Sequence, residues 1–291
     1  VRCACIDIGS NTTRLLVADC ADGRLDPVVQ LRAFTRLGRD CRPGEPVPPA
    51  RVEALAAVVA EQARVAREAG AQALRAVATA ALRRAADGPG VCAALGAAAG
   101  VEVELLGAEE EARLAFAGAT AALLDVPAGE PVAVADVGGG SSEVIVGTRA
   151  GGVAWSCSLP IGSGDLAEEH LRSDPPSPAE LGAIATAAEA AFAGVKVPPV
   201  VRAVAVGGSA TSLRRLVGPR LDSEMLVRAV ATLASAPAEV VAVQHDLDPV
   251  RVRLLPAGIL VLAAVAARVG PLTVAEGGLR EGLLLELAAG A

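Results

Sequence analysis

A chain of 291 residues, 53% of them apolar, can bury one large or two medium cores. A net charge of −7 and four aromatic side chains (Phe34, Phe116, Trp155 and Phe192) exclude the basic stripe of a duplex binder and the stacking platform of a single-strand binder. The single lysine, Lys196 in AGVKVPP, leaves no P-loop or Schiff-base lysine, and two histidines without a G-x-S-x-G elbow do not supply a serine triad.

In chain order, residues 2 to 8 and 14 to 19 read as strands around an acidic turn, CIDIGSNTT, and RLDPVVQLRAFTRLG as a third strand and its exit. The start has no basic head or cleavage site of a signal peptide. Residues 49 to 69 have helical periodicity and stop at Gly70. ALRAVATAALRRAA is a short strand running into a helix, VEVELL a strand, and EEEARLAFAGATAALL a helix with an acidic first turn. After DVPAGEP the order restarts. VAVADV, EVIVG and GGVAWSCSL are strands with Gly-rich turns, followed by helices, the strand VRAVAVGG, more helices to Arg268, the strand LTVAE and a last helix, LREGLLLELAA. Two β-β-β-α-β-α series in tandem indicate a duplicated α/β architecture with its boundary near Leu124 to Pro131. The apolar stretch from Leu254 to Val269 contains Pro256 and Gly258 and reads as too short to span a membrane. A soluble, cytoplasmic protein with no membrane or nucleic-acid partner is expected. The six cysteines are scattered without a C-x-x-C pair and read as reduced, mostly buried thiols.

The two acidic turns repeat one design. In each, an Asp (Asp7 or Asp136) ends an apolar run, and glycines and hydroxyl residues then lead into another strand. A Rossmann turn would instead open a helix. An ordinary hairpin is the simpler alternative. Gly9, Ser10, Asn11 and Thr12 in the first turn, and Gly138, Gly139, Gly140 and Ser141 in the second, can aim N–H groups and hydroxyls at an anion. A third turn, with Gly207, Gly208 and Ser209, leads into a helix whose N-terminus would suit a phosphate.

This set resembles the exopolyphosphatase/guanosine pentaphosphate phosphatase (Ppx/GppA) family of the actin-like, sugar-kinase and Hsp70 superfamily. The matching pieces are IDIGSNTTRLLV, VATAALRRA, EEEARLAFAG, VADVGGGSSEVIVG, VGGSATSL, RVRLLPAGILVL and GGLREGLLLEL. The resemblance implies two tandem RNase H-like (actin-like ATPase) domains with a cleft between them, domain I at 1–126 completed by 278–291 and domain II at 127–277. It also implies that Glu111 is the general base and that Asp136 and Glu143 hold Mg²⁺ and the attacking water. Asp7 with Ser10 and Asn11 would lie in the first phosphate loop, and Arg83 would bind phosphate oxygens. Phosphoanhydride hydrolysis needs such an oriented water, a carboxylate and compensating positive charge.

Each assignment has a plainer rival. Glu109 to Glu111 could simply oppose a helix dipole, and Glu110 stays the alternative base. Of Arg83 and Arg84, one reads as a solvated helix charge, and Arg280 as a brace of the last helix. Arg32, Arg36, Arg39, Arg214 and Arg215 are candidates for a basic channel. Two departures from the family stand out: Asp165 in GSGDLAEEHL, where many relatives carry arginine, and Gly107-Ala108 in place of Ser-Gly. The end at Ala291 resembles the short, two-domain form.

The expected activity is release of inorganic phosphate from the end of polyphosphate. A pppGpp 5′-phosphohydrolase, a catalytically silent polyphosphate or nucleotide sensor and an actin-like kinase or ATPase are the rivals; a homodimer is the assembly considered.

Overall fold

The computed structural model describes residues 1–290, without the side chains of residues 39 and 40, so Arg39 of the expected channel lies outside the described residues. The chain runs β1 (Arg2–Ile8), β2 (Thr13–Ala21), β3 (Arg24–Ala33), α1 (Leu37–Asp40), α2 (Pro49–Glu68), β4 (Ala73–Ala78), α3 (Ala80–Arg84), α4 (Gly88–Ala99), β5 (Val103–Leu105) and α5 (Ala108–Thr120). It continues with β6 (Val132–Val137), β7 (Ser142–Thr148), β8 (Gly152–Leu159), α6 (Ser163–His170), α7 (Pro178–Phe192), β9 (Arg202–Val206) and α8 (Gly207–Val217). The last elements are β10 (Arg220–Leu221), α9 (Ser223–Ala234), α10 (Ala238–His245), α11 (Pro249–Val269), β11 (Leu272–Val274) and α12 (Leu279–Ala289). Two compact units result: unit 1 is Val1–Ala121 with the segment from Gly277 onward, and unit 2 is Ala122–Glu276.

Unit 1 holds a five-stranded sheet of order β3-β2-β1-β4-β5, with β1 parallel to β4 and antiparallel to β2. Its central strand is buried on both faces, and strand periodicity sorts its residues. Ala4, Ile6 and Ile8 join Leu55, Val59 and Ala63 of α2 and Val91 and Leu95 of α4. Cys3 and Cys5 join Leu114 of α5 and Leu279, Leu283 and Leu284 of α12 on the opposite face. A fully buried leucine or isoleucine contributes about 1.5–3 kcal/mol, so both helical layers are held firmly. Asp7 shares the period of Cys3 and Cys5 and therefore belongs to the α12 face.

Unit 2 repeats the order, β8-β7-β6-β9-β11, and adds β10 at the edge beyond β11. This is the actin-like, RNase H-like α/β arrangement occurring twice. Its core joins Ala133, Ala135, Val144 and Val146 of the sheet to Ile184 and Phe192 of α7 and Leu255, Ile259 and Leu262 of α11. The free cysteines behave as expected, five buried and Cys157 partly so.

Two elements differ from the sequence reading. Residues 88–99, left without an element, form α4 with Pro89 in its first turn and Gly100 at φ 62 as its C-cap. A run of Gly and Ala carries little amphipathic signal, so the helix is set by packing of Val91, Cys92 and Leu95. The apolar late stretch begins earlier than the sequence suggests. At 21 residues, α11 is long and apolar enough to cross a membrane by length and composition, yet most of it is buried in the core of unit 2.

The turn before α7 is built on Glu180. Its carboxylate accepts from the N–H groups of Arg172, Ser173 and Ser177 and from the Ser173 and Ser177 hydroxyls, completing a capping box with Ser177. The Ser173 hydroxyl bond, followed by the backbone N–H bonds, holds this carboxyl far below the usual range. A depressed carboxyl stabilises the fold above its unfolded pKa of about 4.3, and that contribution is lost as pH falls below it. Glu180→Gln should therefore lower the thermal midpoint at pH 7 and differ less from the parent at pH 3, as read by calorimetry at both pH values. Equal losses at both would contradict this.

Candidate active site

In unit 1 the β1–β2 turn is closed by a bond from the Gly9 N–H to Thr12 O (3.0 Å). The Ser10 and Asn11 carbonyls accept from Gly38 N–H and Arg36 N–H (2.7 and 2.9 Å). Carbonyls are thus drawn toward the segment after β3. The Ser10 Oγ and Asn11 Nδ2 atoms are buried and, among the described residues, have no hydrogen-bond partner. Buried polar groups without partners are rare in folded proteins, so these two atoms are donors available to a ligand. Arg14 bonds Thr12 Oγ1 through Nε (3.1 Å) and lies opposite Asp7 in the sheet. Burial pushes the Asp7 carboxyl up, opposed by Arg14 and Arg280 and reinforced by Glu281.

Arg280, read from the sequence as a brace of the last helix, lies 3.6 Å from the carboxylate of its α12 neighbour Glu281. It sits in the first turn of α12, where a cation opposes the helix dipole and cannot cap it. Its charge also acts on Asp7, because Asp7 faces α12.

The other unit 1 group is the pair expected from separate motifs. Arg83 in α3 donates through Nη1 to Glu111 Oε2 at 2.7 Å and to Leu106 O at 2.9 Å. Glu111 is in the first turns of α5 with a side chain 13% exposed, and that of Arg83 is 25% exposed. Glu110 points elsewhere. It pairs with Arg113 (2.7 Å), which also reaches Glu286, while Glu286 pairs with Arg75. This is an exposed structural ion network, and the Arg113 bonds hold the Glu110 carboxyl below the usual range. Glu109 is exposed.

In unit 2, strand register places Asp136 of β6 directly opposite Glu143 of β7. Glu143 is 5% exposed, and the Ser158 hydroxyl of β8 donates to its Oε1 at 2.8 Å. On the other flank, Gly207 opens α8 at φ 83, and a Cβ there would lie 2.5 Å from Asp136 Oδ1. The α8 N-terminus therefore faces a carboxylate of the protein itself. Ser209 is buried against Gly258 of α11, where a Cβ would lie 2.3 Å from Ser209 Oγ.

The Gly138–Ser141 loop is shaped from behind by α6. The Ser163 N–H donates to Gly138 O (2.9 Å), and those of Gly164 and Asp165 donate to Gly139 O (2.8 and 3.0 Å). Gly162 and Gly164 are needed because Cβ atoms there would lie 2.3 and 2.9 Å from Gly139 backbone atoms. Asp165 is thus a first-turn residue of α6, in a favourable place for an acid on a helix. The GSG spacing was the readable sign of this support, and the sequence reading passed over it.

The channel candidates are partly engaged. Arg214 pairs with Glu276 (2.7 Å), Arg215 with Asp246 (3.2 Å), and Arg32 stacks over Phe34 at 5.0 Å; Arg36 is exposed in a left-handed conformation. A cavity of about 440 Å³ between α9 and α11, walled by residues such as Leu226, Val230, Ile259 and Ala263, is apolar and unsuited to a polyanion.

The sequence profile of the Ppx/GppA phosphatase family matches residues 16–290. The chain belongs to this family. As a member of this phosphatase family it is a phosphoanhydride hydrolase. It is similar to Exopolyphosphatase 1 of Mycobacterium tuberculosis, 30% identical over 98% of this chain and 88% of that one. An uncharacterized protein of Streptomyces coelicolor, SCO0757, is 39% identical over 63% of this chain, a match spanning 54% of that protein's length. Among solved structures, the Ppx/GppA family member of Aquifex aeolicus superposes with a TM-score of 0.81 at 29% identity, covering 100% of this chain and 98% of that one.

Proposed function

We propose that this Ppx/GppA protein is an exopolyphosphatase that removes the terminal phosphate of inorganic polyphosphate, with Glu111 as general base. The observation that carries this reading is the 2.7 Å Arg83–Glu111 pair, in which the Glu111 side chain is 13% exposed, whereas Glu110 pairs within the exposed network. The exopolyphosphatase named among its relatives and the shortage of aromatic side chains for a guanine favour polyphosphate over pppGpp.

In this reading Glu111 accepts a proton from water as the water oxygen bonds to the terminal phosphorus. The anhydride bond breaks, and its electron pair leaves with the shortened chain. Arg83 keeps Glu111 oriented through Nη1, and its Nη2 edge serves a phosphoryl oxygen. Ser10 Oγ and Asn11 Nδ2 supply the donors that otherwise lack partners. Asp136 and Glu143 fit a Mg²⁺ ion: they are hard oxygen donors set side by side, and Mg²⁺ takes one or two carboxylates with water and substrate phosphate rather than an all-protein cage. Bound Mg²⁺ would neutralise phosphoryl charge and orient the reactants.

Phosphate release should be measured with Mg²⁺ from short polyphosphate, long polyphosphate, pppGpp and ATP side by side. Release from polyphosphate at the highest kcat/KM is the expected result. Preference for pppGpp would move the assignment within the family, and release from none of them would support a silent binding protein. A further expectation concerns Asp165, whose backbone N–H bonds the Gly-rich loop at Gly139 O. Asp165→Arg should raise kcat/KM for long chains by up to about fivefold and for short chains less, the gain fading at high salt. Equal gains for both lengths would contradict it.

A further inference from the structure

Three neighbouring strands place Asp136, Glu143 and Ser158 in one row, in the order β6, β7, β8. Glu143 is the central member, buried and flanked by a like charge. Carboxylates directly opposite on antiparallel strands repel, and a cation shared by both removes that cost. Repulsion alone would turn the Glu143 carboxylate away from Asp136, because the terminal torsion of glutamate is soft. The Ser158 hydroxyl has one proton and donates it to Glu143 Oε1 at 2.8 Å. That bond selects one rotation of the carboxylate plane.

Resting on the metal assignment above, we propose that Ser158 is a positioning residue for a divalent cation held by Asp136 and Glu143. Ser158 touches neither cation nor substrate and acts through Glu143. Partners of this kind orient metal-binding carboxylates, and losing one commonly costs 10- to 100-fold in metal affinity. Mg²⁺ demands near-octahedral geometry, so a carboxylate with its plane already set binds with less rearrangement. The residue is also well suited to substitution. It is exposed on β8, so Ala removes little packing and the methyl group of Thr has room.

The test is Mn²⁺ binding by the full chain, followed as loss of the free-ion paramagnetic signal, for the parent, Asp136→Asn, Ser158→Ala and Ser158→Thr. The parent should bind, Asp136→Asn should lose most binding, and Ser158→Ala should weaken Kd by about tenfold or more. Ser158→Thr should return to within about threefold of the parent, with metal-free thermal midpoints unchanged in both serine variants. Parent-like Kd in Ser158→Ala would overturn the role of Ser158 while leaving the metal assignment standing. Absence of binding by the parent, or parent-like binding by Asp136→Asn, would overturn the metal assignment and this inference with it. Equal loss in Ala and Thr variants would also overturn it, since the hydroxyl would then not be what matters.

Discussion

Glu111→Gln should lower kcat by about 10²- to 10⁴-fold, the usual contribution of a general base, while substrate affinity stays within a few-fold. The amide keeps the shape of the side chain and can still accept a bond from Arg83, but it cannot take a proton from water. Glu110→Gln should leave turnover nearly unchanged, because Glu110 belongs to the exposed network with Arg113. Steady-state phosphate release and equilibrium binding on both variants separate the outcomes. Loss in Glu110→Gln with retention in Glu111→Gln would shift the base by one residue, and activity in both would remove it. Arg83 adds a sharper test. Its bond to Glu111 means the two substitutions act on one unit, so the double variant Arg83→Ala/Glu111→Gln should lose far less than the product of the single losses. Multiplying losses would instead indicate that Arg83 and Glu111 act independently.

Gly282→Ala should destabilise unit 1 by about 3 kcal/mol, at the upper end of overpacking costs, and lower its thermal midpoint by about 6–12 °C. A Cβ at Gly282 would lie 2.0 Å from Leu114 O, and one at Gly118 would lie 2.0 Å from Gly278 O. Both obstacles are backbone atoms, so no side chain can rotate aside. Gly277, at φ 114 and 2.4 Å from Gly118 O by the same measure, belongs to the same contact. Here α12 and α5 approach with nothing but hydrogen between their backbones. Since α5 also carries Glu111, kcat should fall in the folded fraction as well. Gly90→Ala, in α4 with open space around it, is the control and should be neutral or slightly stabilising. A midpoint for Gly282→Ala equal to that of the control would show that the helices can separate at little cost.

The sequence by itself determined the duplicated α/β order, because alternation, helical period and Gly-rich turns are local properties that each segment carries alone. It also determined which turns are acidic and that Arg83 and Glu111 belong to separate helical motifs. The resemblance pointed to Glu111, while local pattern alone left Glu109 to Glu111 alike. Three consecutive positions on a helix differ by about 100° in direction, and only the placement of Arg83 and Arg113 distinguishes them. The influence of Arg280 on Asp7 was hidden for a related reason: the two are distant in sequence, and they come near because the alternation of β1 turns Asp7 toward α12. Ser158 gave no signal, since one hydroxyl in an alternating strand acquires meaning only once β7 and β8 are in register. The glycines at 118, 258 and 282 likewise read as neutral in one dimension. Tertiary structure decided their roles, because close approach of two backbones is a property of the pair of elements and of neither segment alone.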